Sequence, residues 1–270
     1  AEIFVLGYVD RREFPAAEKF GVTVPVISEA GFDEVMLSDR KLKCYLQVDT
    51  GMNRLGVDYR DRKRIRLMTR ALTSAKNLRF FGLGTHVFDA SDARAVNAQR
   101  NRLIRLECDL PLSVCASESL SFGGAGEYKR PGICLYGYGR TAERSRLLPP
   151  LSLTTRVVRI QPVEKGETVG YNAVFRAKKH TLVGTLPLGY ADGMMRSYVG
   201  GSVFLKGEEC RVLAVCMDMT MISLPRGAAV GDEVTVFSVE RGLEDLTARA
   251  GTIVYEGLTA LGSRLTRVIK

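Results

Sequence analysis

Over the first 140 residues, short β-rich apolar runs alternate with helical stretches, and the loops between them are short. No other feature constrains the fold as much. Strands that are each followed by a helix pair as βαβ units on a parallel sheet. The runs are residues 3–7, 22–27, 42–48, 78–84, 110–115 and 133–137. Pro25 weakens the second of them, because proline has no N–H to give to a ladder. Helical patterns fill residues 15–20, the stretch from a Ser28 cap to about residue 38, and residues 59–75 and 92–107. In the third, Ile65, Leu67, Met68, Ala71 and Leu72 recur at helical spacing. The expected fold is therefore α/β, an open sheet or a partial (β/α)8 barrel. The strand count falls two short of closure.

After Leu148-Pro149-Pro150 the pattern changes. Runs at 151–160, 180–188, 203–205, 211–217, 219–224 and 234–239 follow one another with turn signals at Lys206-Gly207, Arg226-Gly227 and Val230-Gly231-Asp232. Closely spaced strands without helices between them predict an all-β second domain. Residues 243–250 and 252–261 suit helix, and 264–269 reads as a last strand. The expected division is 1–147 for the barrel-type domain and 148–270 for the β domain.

Composition removes several classes of function. Apolar residues make up 46% of the chain, so it is globular. No apolar run approaches the roughly 18 residues of a membrane span, and no charged-then-apolar leader opens the chain. Cys44, Cys108, Cys115, Cys134, Cys210 and Cys216 show no CxxC spacing and read as buried thiols in a reducing cytoplasm. With only His86 and His180, a multi-histidine site is excluded and no metal is expected. The net charge of +9 raises the question of nucleic acid. However, the densest arginine group, residues 60–70, alternates with apolar residues at helical spacing and reads as a solvated helix face. No aromatic-interleaved basic motif accompanies it. The charge suits an anionic cofactor or substrate better.

In barrel folds the chemistry sits at the C-terminal ends of the strands. Distinctive polar residues fall there: Asp49-Thr50-Gly51 with Arg54, Thr85-His86, Ser117-Glu118-Ser119, and Arg130 just before the sixth run. In the second half, Glu167-Thr168-Val169-Gly170-Tyr171-Asn172-Ala173-Val174-Phe175 puts a tyrosine on a glycine-hinged turn, and Pro187-Leu188-Gly189-Tyr190-Ala191-Asp192-Gly193 follows. Taken alone, Tyr171 reads either as a turn residue packing on its neighbours or as an acid/base group.

These motifs, in this order, resemble the alanine racemases. Asp49-Thr50-Gly51-Met52-Asn53-Arg54-Leu55-Gly56 is similar to the family's DTGMxRxG stretch. Thr85-His86, Arg130-Pro131-Gly132-Ile133-Cys134-Leu135-Tyr136-Gly137, Val169-Gly170-Tyr171, the stretch from Leu188 through Tyr190 to Arg196, and Cys216-Met217-Asp218 continue the likeness to the end of the chain. The resemblance implies a fold-type III pyridoxal 5'-phosphate enzyme, a (β/α)8 barrel and then a β domain, acting as a head-to-tail homodimer. It implies two-base proton transfer at Cα that interconverts L- and D-alanine and supplies D-alanine for peptidoglycan.

The resemblance also implies roles. Arg130 would face the pyridine nitrogen, and His86 would hydrogen-bond Arg130. Arg54 would lie near the cofactor's phenolic oxygen. Ser119 and the N–H groups of Gly132 and Ile133 would bind the phosphate. Tyr171 would serve the partner subunit's cofactor, and the Met217 N–H would meet the substrate carboxylate. Tyr190 would narrow the entrance, with Asp92 and Arg196 further out. Asp192 reads as a turn residue.

The sequence departs from the family in several places. No stretch matches the family's AVKANAYGHG-like motif, whose lysine carries the cofactor and acts as the second base. The chain begins where the family's third strand begins, so the segment with the first two strands is expected to be absent. Gln47 stands where many members carry a lysine that orients the arginine equivalent to Arg54. Cys115 and Glu118 replace a histidine and an asparagine, Asn172 replaces a glycine, and Ser263 replaces a gate tyrosine. The alternative to a racemase is a truncated or decayed homologue that binds a phosphate-bearing ligand or a partner without turnover.

Overall fold

The computed structural model describes residues 2–107, 109–122, 126–139 and 147–269; Cys108 lies outside the described residues. The chain divides into two units, Ala1–Leu135 with Gly139–Arg146, and Tyr136–Tyr138 with Leu147–Lys270.

The first unit holds strands β1 (Thr23–Val26), β2 (Leu42–Asp49), β3 (Val57–Asp58), β4 (Leu78–Gly84), β5 (Leu112–Ala116) and β6 (Tyr128–Arg130). Its helices are α1 (Phe14–Phe20), α2 (Glu29–Met36), α3 (Arg62–Ser74) and α4 (Ala93–Ile104). The sheet order is β1-β2-β4-β5-β6, all parallel, with β3 beside the end of β2. β2 is buried on both faces, as a parallel strand covered by helices must be. In α3, Ile65, Met68 and Leu72 form the buried stripe, while Leu67 points outward at 59% exposure. Each such fully buried aliphatic side chain contributes about 1.5–3 kcal/mol. Ser28 caps α2 by accepting the Gly31 N–H at 3.1 Å. Asp61 and Asp92 cap α3 and α4 in the same way.

Two elements of this unit differ from the reading of the sequence. Residues 3–7 form no strand; their one ladder contact is the bridge from Phe4 to Thr23. The Phe4 ring instead meets Tyr45 of β2 at 5.5 Å, Phe81 of β4 at 5.4 Å and Tyr128 of β6 at 5.3 Å. One ring touching both β2 and β6 requires the sheet to curl, and the unit is barrel-like. Residues 133–137 are not the sixth strand. Ile133–Tyr136 is a 3-10 turn closed by the Leu135 N–H on the Gly132 carbonyl. Pro131 cannot donate to a ladder, so pairing stops at Arg130, the last residue of β6. Pro25 is tolerated inside β1 because that strand has a full ladder on one side only.

The second unit holds β7 (Leu153–Arg156), β8 (Arg159–Val163), β9 (Thr168–Val169), β10 (Phe175–Arg176), β11 (Thr181–Leu186), β12 (Ser202–Leu205), β13 (Glu208–Val215), β14 (Thr220–Ser223) and β15 (Glu233–Phe237). Two short helices follow, α5 (Glu244–Arg249) and α6 (Val254–Thr259). Seven strands form an antiparallel sheet in the order β7-β15-β12-β13-β14-β11-β8, and β9 pairs with β10 as a separate ribbon. The expected run 151–160 breaks in two because it changes partner. The Val157 N–H bonds Asp232, and the Val158 N–H bonds Thr185. Residues 264–269 form no strand: Val268 and Ile269 are exposed, and Arg264 Nε instead meets Asp192 Oδ1 at 3.1 Å. Among the described residues no helix is long and apolar enough to cross a membrane.

Candidate active site

Arg130 ends β6, and its guanidinium crosses the ends of the neighbouring strands. Nη1 donates to the Ser113 carbonyl at 3.0 Å and to Ser113 Oγ at 2.6 Å, and Nη2 donates to the Thr85 carbonyl at 2.7 Å. Nε is shielded from water and has no partner among the described residues. Burial lowers the arginine's pKa, and the nearby Tyr45 and Cys115 oppose that shift. A guanidinium nonetheless stays charged in a protein. Burial also pushes the Tyr45 phenol up to about 12.

His86 follows the end of β4 and lines a narrow recess with Gln47, Arg54 and Thr85. Burial, then the charges of Arg130 and Arg54, push its pKa down to about 4. The imidazole is therefore neutral near pH 7 and adds no charge beside the guanidinium. The expected hydrogen bond from His86 to Arg130 is not formed among the described residues. Arg130 spends its two Nη groups on Thr85 and Ser113, and His86 feels it through charge alone. Gln47 and Arg54 share the recess but form no hydrogen bond with each other among the described residues.

In the loop after β5, two of the expected phosphate donors bond within the protein. Ser119 Oγ is buried and turned onto its own loop, accepting the Ala116 N–H at 2.9 Å and donating to the Ala116 carbonyl at 3.1 Å. The Gly132 N–H donates to Ser117 Oγ at 2.7 Å, and Ser117 also accepts the Cys134 N–H at 3.4 Å. Of the expected donors, the Ile133 N–H alone makes no hydrogen bond among the described residues. Sequence reasoning noticed Ser117 only as a polar residue at a strand end. Its partners lie 15 and 17 residues further on, so no local signal marks its role. Asp92, expected near the entrance, is the cap of α4 and accepts the Arg94 N–H at 2.8 Å.

In the second unit, Tyr171 stands on the turn between β9 and β10 and is 79% exposed. Gly170 before it has φ +78°, and a Cβ there would lie 2.5 Å from that of Ala214, so only glycine fits. Asn172 and Ala173 also adopt positive φ, at +54° and +51°. Such conformations cost about 1–3 kcal/mol each and persist where the surroundings impose them. Tyr171 lines a cavity of about 830 Å³ with Asn172, Tyr190, Arg196 and Cys216. Met217 adjoins Cys216; its side chain is 59% exposed and its N–H makes no hydrogen bond among the described residues. Asp192 is a buried turn residue that accepts the Gly189 N–H at 2.9 Å.

Two family models account for most of the chain: the alanine racemase N-terminal domain over residues 1–140 and the alanine racemase C-terminal domain over residues 150–269. Fold and matches together define an enzyme of the isomerase class, a racemase. The alanine racemase of Laribacter hongkongensis is 32% identical over 277 residues, covering 97% of this chain and 76% of that protein. The crystal structure of the biosynthetic alanine racemase from Pseudomonas aeruginosa superposes with a TM-score of 0.88 at 27% identity, covering 99% of this chain and 79% of that one. The alanine racemase from Bartonella henselae with covalently bound pyridoxal phosphate has the same fold, with a TM-score of 0.85 at 22% identity over 99% of this chain and 79% of that one. The chain belongs to the alanine racemase family.

Proposed function

We propose that this chain interconverts L- and D-alanine with pyridoxal 5'-phosphate as its cofactor, in a homodimer of the cytoplasm. The observation that carries the reading is Arg130, a charged group whose shielded Nε–H has no acceptor among the described residues. A shielded donor without a partner is costly, and a pyridine nitrogen is an acceptor of the right kind. Because arginine keeps its proton, that nitrogen would stay unprotonated. The residues therefore fit the ring half of the cofactor. For the phosphate half, the Ile133 N–H is unspent, and rotation of the Ser117 and Ser119 hydroxyls would release the Gly132 N–H and the Ser119 hydroxyl.

When bound, pyridoxal phosphate draws electron density from an attached amino acid and makes its Cα–H acidic. Arg130 would bind and orient the ring, with the neutral His86 beside it and Arg54 on the same recess. Tyr171 would move the Cα proton on one face, for a cofactor held by the partner subunit. The Met217 N–H would hold the substrate carboxylate, and Tyr190 and Arg196 would border the approach. No residue of this sequence matches the family's lysine motif, so the second proton transfer is assigned to none of the 270 residues.

The test is exchange of the alanine α-proton into deuterated solvent with pyridoxal phosphate present. Tyr171→Phe should cut it by about 10²–10⁴-fold, the range for a lost acid/base group; undiminished exchange would remove Tyr171 from the mechanism. The alternative reading is ligand binding without turnover. That reading predicts no exchange in the unmodified chain and no borohydride-trappable adduct on any lysine.

A further inference from the structure

Behind Arg130 and His86 lies one fully buried amide that hydrogen-bonds neither the guanidinium nor the imidazole. Gln99 is on α4 and has no exposed surface. Its Oε1 accepts the Phe88 N–H at 2.9 Å. Its Nε2 donates to Thr50 Oγ1 at 2.9 Å and to the His86 carbonyl at 3.1 Å. The polarity of this amide is set by its neighbours: turned over, it would put NH2 against the Phe88 N–H and its carbonyl against that of His86. Thr50 Oγ1 lies 2.7 Å from Thr85 Oγ1, and the Thr85 carbonyl receives Arg130 Nη2. One side chain thus ties together the end of β2, the end of β4 and the segment 85–88. One turn further along α4, Arg102 makes a second tie, donating to the Thr50 carbonyl at 2.5 Å. That approach needs Gly51, where a Cβ would come within 2.8 Å of Arg102 Nη1.

We propose that Gln99 is a positioning residue that holds His86 and Arg130 in register through Thr50 and Thr85. This deepens the racemase reading without sharing its test. A buried network of this kind is costly when half satisfied. Removing the amide leaves the Phe88 N–H and the His86 carbonyl unpaired, so segment 85–88 shifts to reach water. His86 then gains water and leaves the charges that face it, Arg130 from β6 and Arg54 from the loop after β2; Asp49 lines the same recess.

The experiment needs no cofactor. His86 and His180 are the only histidines, so two imidazoles titrate in histidine-labelled NMR spectra of the 270-residue chain. His180 is exposed, pairs with Glu164 at 2.9 Å, and serves as the internal control. In Gln99→Leu, the His86 titration should move up by about one pH unit or more toward that of a solvated imidazole, with His180 unmoved. Thr50→Val removes one acceptor with little change of shape and should give a smaller shift in the same direction, which covers the case in which Gln99→Leu does not fold. Rescue of the unmodified titration by Gln99→Asn is not expected, because its amide is one methylene too short. An unmoved His86 in a folded Gln99→Leu or Thr50→Val chain would overturn the proposal. Loss of α-proton exchange in the unmodified chain would count against the racemase reading and leave this one standing.

Discussion

His86 carries the clearest electrostatic consequence at the scale of single residues. Its pKa falls from an ordinary 6.5 to about 4 in the folded chain. Between those values the unfolded chain binds a proton that the folded chain does not. This contribution to stability is therefore intact above pH 6.5, is lost as pH falls toward about 4, and changes no further below that. Urea midpoints measured across this window should fall with pH, and His86→Gln should flatten that part of the slope. The same neutrality matters to the site, because a protonated imidazole beside Arg130 and Arg54 would put a third positive charge in one recess. Neither the depressed pKa nor the Arg130 contacts with Ser113 and Thr85 could be read locally, since they join residues 17 and 45 positions apart.

At the scale of elements, the turn from β9 to β10 shows what presenting one phenol requires. Three constraints, Gly170, Asn172 and Ala173, all at positive φ, flank a side chain that makes little contact of its own. Gly170→Ala meets both the backbone penalty and the Cβ of Ala214. It should destabilise the chain by about 1–3 kcal/mol in denaturant titrations and lower α-proton exchange with it. A stable variant with full exchange would show that the turn is not what positions Tyr171. Helices and long strands were legible because their signals are local: a Ser28 cap, a stripe at Ile65, Met68 and Leu72, and Leu42, Cys44, Tyr45, Leu46 and Val48 in β2. The shortest strands, of two or three residues, were not. β6 is Tyr128-Lys129-Arg130, which has no apolar alternation, yet it pairs with β5.

For the whole molecule, the buried arginine belongs to the first unit and the exposed tyrosine to the second, each unit with its own apolar core. If the site is shared between copies, two inactive variants complement each other. Tyr171→Phe mixed with Arg130→Ala, after dissociation and reassembly, should recover about one quarter of the unmodified exchange rate, since half the random pairs are mixed and each keeps one intact site. No recovery from folded, reassembled dimers would mean that both groups act within one chain. The high positive charge is partly compensated on α3, where Arg62 and Arg66 lie 3.9 and 3.7 Å from Glu107 and Arg64 lies 3.2 Å from Asp61. Exposed pairs of this kind add little stability.

Periodicity and turn chemistry alone determined the two-part plan, a parallel α/β half and an antiparallel β half, because helix caps and apolar spacing act over a few residues. Ordered motifs pointed to Arg130 and Tyr171. Only the tertiary structure decided which short runs pair, that Ser117 accepts the Gly132 N–H, and that Gln99 links β2 to β4. A strand exists by virtue of its neighbour, and a buried amide by virtue of acceptors brought from elsewhere in the chain.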